Sequence, residues 1–188
     1  MSDVSELPAD LPVPEDDGSA DHLVGIGVPN IVLSGTDDTV DLGALPGTAI
    51  LYCYPMTGTP GTALPDGWDA IPGARGCTAQ ACAYRDHVAE LGLAGADHVH
   101  GISTQTVAEL REARERLRVP YALLSDEHGT LAEALRLPTF KVDGRTLLKR
   151  LTMIVRDGTI VHVRYPVFPP DEDAAAVLDW LQANPSPN

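Results

Sequence analysis

The sequence predicts an α/β/α sandwich, in which helices cover both faces of a mixed central β-sheet. Short apolar, β-rich runs alternate along the chain with segments of helical periodicity. The last part of the chain has the pattern of a β-hairpin followed by one more helix. With 188 residues, the chain has the length of one domain that buries a sizeable core.

The N-terminal part of the chain divides into an arm and the start of the domain. Residues 1–22 contain Pro8, Pro12, Pro14 and several acidic residues with little apolar content, which predicts an acidic, weakly ordered arm. The domain is expected to span residues 23–188. Residues 30–33 and 39–42 are strand-like, and the turn-forming residues between them predict a hairpin.

The next segment consists of a strand, a long loop and a helix. Residues 48–55 form a nearly continuous apolar run, which is typical of a strand that is covered on both faces. Residues 56–76 contain many glycines and prolines and are expected to form a loop. A helix is predicted over residues 77–91.

The middle of the chain continues the alternation of strands and helices. Residues 97–102 and 121–124 are predicted strands, and residues 106–117 and 130–135 are predicted helices. The first of these helices has an apolar face. Elsewhere on the same helix, Glu112 and Arg116 are placed to form an i,i+4 ion pair.

The C-terminal part completes the fold. Residues 151–155 and 159–163 flank Arg156-Asp157-Gly158, and the Asp-Gly pair predicts a tight hairpin turn. Asp171 is expected to cap a final helix that carries the apolar residues Val177, Leu178, Trp180 and Leu181. This order of elements is that of a thioredoxin-type sandwich.

Charge and composition limit the partners of the chain. Thirteen basic and twenty-seven acidic residues give a net charge of −14, and Arg75 is the first cationic residue. Nucleic acids and anionic membranes are therefore disfavoured partners. The N-terminus has no pattern of a secretory signal and no apolar run is long enough for a membrane span, so the cytoplasm is the expected compartment. Monomer and homodimer both remain open.

Two cysteines dominate the chemistry that the sequence predicts. Cys77 lies at the start of a predicted helix, where free backbone N–H groups and the helix dipole favour a thiolate. Cys82 follows five residues later and is able to trap an oxidised Cys77 sulfur as a disulfide. The alternative is that both cysteines are small buried hydrophobic residues on one helix.

The spacing of the two cysteines has a geometric consequence. On a regular helix five residues correspond to a rise of about 7.5 Å, and the two side chains point about 140° apart. A disulfide needs Cα atoms within about 7 Å and converging Cβ atoms. If Cys77 and Cys82 form a disulfide, the first turns of the helix must unwind.

The sequence around these cysteines resembles the active-site block of the peroxiredoxins. The matching pieces are Tyr54-Pro55, Thr59-Pro60-Gly61, Gly76-Cys77-Thr78 and Ala81-Cys82 with Arg85-Asp86. The Q type (bacterioferritin-comigratory-protein type) is the most similar, since its resolving cysteine also lies five residues after the peroxidatic cysteine. The resemblance extends over residues 28–181.

The resemblance implies roles for individual residues. Cys77 matches the peroxidatic cysteine, Cys82 the resolving cysteine, and Arg150 the arginine that stabilises the thiolate and the polarised peroxide. Pro55 matches the proline that shields the thiolate. The reaction requires no metal and no organic cofactor, and its implied partners are a peroxide and a thioredoxin-like dithiol reductant. Taken without the resemblance, Arg150 reads as a solvated arginine at the start of a strand.

The chain departs from the family pattern beside the peroxidatic cysteine. The family has threonine or serine three residues before that cysteine, whereas this chain has Ala74 there. Thr59 is the expected counterpart, separated from Cys77 by an insertion over residues 62–76. If the insertion loops out and returns, Thr59 reaches the site. If Thr59 does not reach the site, the peroxide pocket lacks its hydroxyl group.

The insertion adds two candidate substrate-binding residues. Arg75 is placed to favour the Cys77 thiolate or to bind an anionic substrate, or else it is a solvated loop cation. Trp68 is placed to cover the pocket or to contact a larger hydroperoxide, or else it simply packs the loop onto the domain. A long loop beside a reactive group is often functional.

Two other sets of residues were candidates for chemistry. Cys53 lies inside an apolar strand, which indicates a buried structural thiol. His98 and His100 share one face of a predicted strand, so a metal pair is conceivable as a minor alternative, but the sequence offers no further ligands at a recognisable spacing and no metal site is the main expectation.

The sequence therefore predicts a thiol-dependent peroxidase that reduces hydrogen peroxide or organic hydroperoxides through Cys77. Two alternatives remain open. One is a redox-responsive binding or regulatory module that uses the same disulfide switch, and the other is a thiol enzyme for a specialised substrate.

Overall fold

The structure is a computed structural model that describes residues 7–186. Residues 1–6 of the expected acidic arm therefore lie outside the described residues. Within them, seven strands form one mixed sheet in the order β2-β1-β5-β4-β3-β8-β9. The strand bounds are β1 Val32–Gly35, β2 Thr39–Asp41, β3 Thr48–Cys53, β4 His98–Ser103, β5 Leu123–Ser125, β8 Leu151–Arg156 and β9 Thr159–Arg164.

The centre of the sheet is parallel and its flanks are antiparallel. Strand β4 pairs in parallel with both β3 and β5. The hairpin of β8 and β9 is antiparallel and adds to β3, and the hairpin of β1 and β2 adds to β5. Both hairpins and the mixed sheet were predicted from the sequence and are confirmed.

Strand β3 separates two apolar cores because its side chains alternate between the faces of the sheet. Leu51 and Cys53 pack into one core, and Ile50 and Tyr52 pack into the other. Every residue of this strand is buried, which agrees with the continuous apolar run in the sequence.

Helices cover both faces of the sheet and complete the predicted sandwich. Residues of the helices α1 (Cys77–Leu93), α2 (Val107–Leu117) and α4 (Asp173–Ala183) pack into the core on the Tyr52 side. Leu131 and Leu135 of the helix α3 (Thr130–Leu135) pack into the opposite core. Helix α2 begins with a capping box between Thr106 and Glu109, and its predicted Glu112–Arg116 ion pair is formed at 2.7 Å.

The start of the last helix differs from the expectation. Asp171 does not cap it; the residue lies inside a 3-10 turn, Pro170–Glu172, and α4 begins only at Asp173. Proline at the first position has a fixed φ that favours such a turn, and the helix begins one residue later than a cap at Asp171 would place it, with Glu172 as its N-cap. The Asp173 side chain is then fully buried.

A second, two-stranded sheet was missed by the sequence interpretation. Strands β6 (Thr139–Val142) and β7 (Arg145–Leu148) form a hairpin around Asp143-Gly144. The Asp-Gly pair is itself a hairpin signal and the first strand alternates between polar and apolar residues, but the second strand, with Leu147-Leu148, does not. Trp68 of the long loop packs against this hairpin, with its ring 6.3 Å from that of Phe140.

Residues 7–22 lie against the domain in the structure. Asp17 accepts hydrogen bonds from Lys149 and Tyr165, and Ala20 is buried in the core. The proposed division of the chain at residue 22 stays a prediction. None of the helices in the described part of the chain is both long and apolar enough to cross a membrane.

Candidate active site

Cys77 is the first residue of helix α1, and the backbone before it is unusual. Gly76 has a φ of 105°, in the left-handed region that favours glycine, and a Cβ atom there would collide with the ring of Pro170. The turn at Gly76 therefore places the Cys77 side chain at the N-terminal end of the helix, where the backbone carries partial positive charge. The side chain is buried, with 4% of its surface exposed.

Arg150 is the cationic group nearest to the sulfur. It directly precedes β8, and its Nη2 atom lies 3.2 Å from Cys77 Sγ. The same nitrogen lies within hydrogen-bond distance of the carbonyl oxygens of Gly73 and Arg75. Arg150 is only 3% exposed, and no carboxylate in residues 7–186 forms an ion pair with it. A buried guanidinium without an anionic partner favours the thiolate form of a neighbouring cysteine.

A buried amide and a buried carboxylate lie behind Arg150. The Nη1 atom of Arg150 donates to Gln80 Oε1, and Gln80 Nε2 donates to Asp173 Oδ2 at 3.0 Å. Asp173 also accepts hydrogen bonds from Tyr84 and Thr152, and from Arg164 in an ion pair of 2.8 Å.

Cys82 lies on the same continuous helix as Cys77, five residues further along. Its side chain is partly buried, and the three cysteines of the described chain form no disulfide with one another. Residues five apart on an intact helix point in different directions, so this conformation keeps the two sulfur atoms apart.

Thr59 and Cys77 line the same cleft, which has a volume of about 300 Å³. The long loop thus returns to the cleft, which Thr59 lines together with Ala74 and Cys77. Whether the Thr59 hydroxyl binds the peroxide stays a prediction.

Arg75 and Trp68 line this cleft as well. Arg75 also forms an ion pair of 2.6 Å with Asp69, and Trp68 packs against Phe140 while only 4% of its surface is exposed. Arg116 is a further cationic residue of the cleft, and no Asp or Glu of the described chain belongs to its lining.

The remaining sequence candidates lie outside the cleft. Pro55 is buried, and its carbonyl oxygen accepts a hydrogen bond from Ser103; it is not among the described residues that line the cleft. Cys53 is fully buried, and burial raises the pKa of its thiol far above the usual range, as expected for a structural cysteine. Within residues 7–186 no group of three or more His, Cys, Asp and Glu side chains is placed to hold a metal ion.

The sequence interpretation missed Gln80, Asp173 and Arg116 as residues of the site. Gln80 had a usable signal, since a residue three positions after Cys77 lies on the same side of the helix. Asp173 and Arg116 reach the site through tertiary packing, and their positions in the sequence gave no signal.

Comparison with known proteins gives the same family from sequence and from structure. The model of the Redoxin family matches residues 23–178. The chain is 33% identical to peroxiredoxin Bcp of Escherichia coli K12 over 137 residues, which cover 71% of this chain and 77% of that protein. It is 30% identical over 162 residues to the chloroplastic peroxiredoxin Q of Oryza sativa subsp. japonica, covering 85% of this chain. The chain spans 66% of the length of that rice protein.

Among solved structures, the fold is similar to that of peroxidoxin BcpB from Mycobacterium tuberculosis. The TM-score is 0.69 at 28% sequence identity, and the match covers 88% of this chain and 100% of the other. A peroxiredoxin Q from Xanthomonas campestris is similar in fold at 20% identity, with a TM-score of 0.64.

Proposed function

The chain belongs to the redoxin family and, within it, to the Q-type peroxiredoxins, and we propose that it reduces hydrogen peroxide or organic hydroperoxides through Cys77. The observation that supports this most directly is the pairing of Cys77 with Arg150. The sulfur lies at a helix N-terminus and 3.2 Å from a buried guanidinium. Both features favour the thiolate, which is the nucleophile of thiol chemistry.

The first step is attack of the Cys77 thiolate on one oxygen of the peroxide. A sulfur–oxygen bond forms and the oxygen–oxygen bond breaks, so that Cys77 becomes a sulfenic acid and the other oxygen leaves as water or an alcohol after taking up a proton. Arg150 is proposed to stabilise the charge that develops on the peroxide oxygens. Thr59, in the same cleft, is proposed to donate a hydrogen bond to the peroxide.

The second step is formation of a disulfide with Cys82. The Cys82 sulfur attacks the sulfenic acid, a sulfur–sulfur bond forms, and water leaves. Because the intact helix keeps Cys77 and Cys82 apart, we propose that the first turns of α1 unwind before this step. A thioredoxin-like dithiol then exchanges with the disulfide and restores both thiols, and a reducing compartment such as the cytoplasm supplies such a dithiol.

The walls of the cleft favour substrates larger than hydrogen peroxide. Met56, Leu64 and Trp68 provide apolar surface, and the guanidinium groups of Arg75 and Arg116, each in an ion pair with a carboxylate, provide hydrogen-bond donors. We therefore propose that organic hydroperoxides also enter the cleft, with Arg75 and Trp68 as substrate-binding residues. Cys77, Arg150 and Thr59 all belong to one chain, so a monomer is sufficient for the chemistry.

The test is the rate at which the reduced protein consumes peroxide, measured by stopped flow beside Cys77→Ser. We expect rapid consumption by the wild type, none above background by the variant, and a Cys77–Cys82 disulfide detected by mass spectrometry. Turnover with thioredoxin, thioredoxin reductase and NADPH tests the reductant. Slow consumption that does not depend on Cys77 would overturn the proposal and leave the redox-responsive module as the better hypothesis.

A further inference from the structure

The N-terminal segment, residues 7–22, lies across the part of the chain that leads to the reactive sulfur. Leu7 is half-buried and lines the same cleft as Cys77. Its Cδ2 atom lies 3.1 Å from the position that a Cβ atom on Gly76 would take, so Leu7 packs directly on the turn that precedes α1. One end of the N-terminal segment is therefore in contact with the start of the helix.

Pro14 of the same segment packs on the insertion that precedes the cysteine. Its ring lies 3.6 Å from the position that a Cβ atom on Gly73 would take. The carbonyl oxygen of Gly73 accepts a hydrogen bond from Arg150. The N-terminal segment therefore contacts residues 73–77, which lead into α1, at two separate points.

The later part of the segment attaches it to the rest of the fold. Asp17 forms an ion pair of 2.8 Å with Lys149. It also accepts a hydrogen bond from the Tyr165 hydroxyl. Ala20 is 4% exposed and belongs to an apolar core of the sheet. Because Lys149 directly precedes Arg150, the segment runs from the start of β8 to the start of α1.

The middle of the segment is only loosely packed. A cavity of about 440 Å³ separates its residues 13–15 from Ile71 and Phe140. Val13 is 64% exposed. Groups on opposite sides of a cavity make no dispersion contact, so the segment is able to leave residues 73–77 without breaking a closely packed core.

Contact with the start of α1 matters because the reaction requires this part of the chain to change conformation. On the intact helix, Cys77 and Cys82 point in different directions, so the first turn must unwind before their sulfur atoms form a bond. Unwinding moves Gly76 and Cys77 away from Leu7. The apolar contact of Leu7 is then lost, and this contact therefore stabilises the helical form relative to the unwound form.

We propose that the N-terminal segment, through Leu7, holds the start of α1 in its helical form and thereby controls how long the Cys77 sulfenic acid lasts before Cys82 attacks it. The inference rests on the proposed peroxidase function and adds to it a residue that acts on the second step. While the helix is intact, a second peroxide molecule oxidises the sulfenic acid to sulfinic acid and is itself reduced to water or an alcohol. Once the helix unwinds, the Cys82 sulfur attacks, the sulfur–sulfur bond forms and water leaves.

The test replaces Leu7 by serine, which removes the apolar contact with Gly76. Reduced protein is mixed with peroxide, quenched with acid at set times, and analysed by mass spectrometry for the sulfenic acid and for the Cys77–Cys82 disulfide. We expect the sulfenic acid to convert to the disulfide about fivefold faster than in the wild type, corresponding to the loss of one half-buried leucine contact. Overoxidation of Cys77 by excess peroxide should decrease accordingly.

Val24→Ser is the matched control, because Val24 is 57% exposed and is not among the described residues that line the cleft. It should form the disulfide at the wild-type rate. Asp17→Asn weakens the attachment of the segment to Lys149, so its disulfide should also form faster, but by less than in Leu7→Ser because this ion pair is partly exposed. Equal acceleration in Leu7→Ser and Val24→Ser would indicate a general loss of stability and would overturn the proposal.

Hydrogen–deuterium exchange separates this inference from the proposed function, because it is measured on the reduced protein without peroxide. Residues 76–82 should exchange faster in Leu7→Ser than in the wild type. If the wild type does not consume peroxide, the proposed function fails, and diamide, which takes up the two electrons and two protons of the thiols, then drives disulfide formation instead. A Leu7→Ser protein that is folded by circular dichroism, and in which either the exchange or the rate of disulfide formation stays within twofold of the wild type, refutes the role of Leu7.

Discussion

Arg150 and Cys77 are 73 residues apart in the chain, yet Nη2 of the arginine lies 3.2 Å from the sulfur of the cysteine. The structure brings them together because Arg150 directly precedes β8, which pairs with β3 at the centre of the sheet. Helix α1 begins over the same end of β3, after the long loop has crossed the cleft. A reactive sulfur and a cation, both buried, are thus brought into contact at this end of the central strands.

Replacement of Arg150 by lysine should reduce the rate constant with peroxide on the order of 100-fold, as for the loss of a donor to a developing oxyanion. Lysine keeps the charge, but an ammonium group is unable to contact the sulfur, Gln80 and the loop carbonyls at once. Competition kinetics against a reference peroxidase measures the effect. Arg156→Lys, at the far end of β8, is the control and should remain within twofold of the wild type.

Replacement of Cys82 by serine should lead to overoxidation of Cys77 by excess peroxide. Without a second thiol the sulfenic acid persists, and further peroxide converts it to sulfinic and sulfonic acid. Mass spectrometry should show Cys77 heavier by two or three oxygen atoms. Cys53→Ala, which removes the buried cysteine of β3, should behave like the wild type. If Cys77 stays a thiol in Cys82→Ser under peroxide, the proposed transfer of oxidation from Cys77 to Cys82 is contradicted.

Replacement of Thr59 by valine should lower the peroxide rate constant about tenfold, corresponding to one hydrogen bond of about 1.4 kcal/mol in the transition state. Valine has nearly the shape of threonine but no hydroxyl group. The control is Thr159→Val, an exposed position at the start of β9. Equal rates for Thr59→Val and wild type would show that the peroxide is bound without this hydroxyl.

Replacement of Gly76 by alanine should destabilise the start of α1. The residue has a φ of 105°, and the added Cβ would meet the Pro170 ring, so we expect a loss of about 1–3 kcal/mol in the free energy of unfolding. Denaturation by urea measures it. Gly95→Ala is the matched control, because Gly95 has a φ of 100° but open space where a Cβ would lie. Its loss in the free energy of unfolding should be smaller than that of Gly76→Ala.

The free energy of unfolding should fall as the pH decreases below about 6.5. Burial lowers the pKa of His100, so in this range the unfolded chain binds a proton that the folded chain does not. For each unit by which the pH falls, the free energy of unfolding should then decrease by up to about 1.4 kcal/mol because of this group. Urea denaturation at several pH values between 7 and 5 measures how the free energy of unfolding changes with pH, and this change should be smaller for His100→Val. An unchanged slope would mean that His100 does not contribute.

The sequence was sufficient for the elements whose signals are local. The apolar run of β3, the Asp-Gly turn between β8 and β9, and the Glu112–Arg116 ion pair of α2 each depend on residues that are close together in the chain. The hairpin of β6 and β7 was missed although it had its Asp-Gly signal and an alternating first strand; only its second strand lacks the alternation. Asp171 was misjudged because Pro170 starts a 3-10 turn before the helix.

Local patterns in the sequence were enough to predict the sandwich and the place of Cys77 at a helix start, five residues before Cys82, because these features follow from periodicity and neighbouring residues. The packing of the folded chain, by contrast, brings Thr59 to the cleft, Arg150 to the sulfur and Gln80 within hydrogen-bond distance of Asp173. These contacts join residues that are far apart in the chain, and their formation depends on how the sheet, the loop and the last helix pack together.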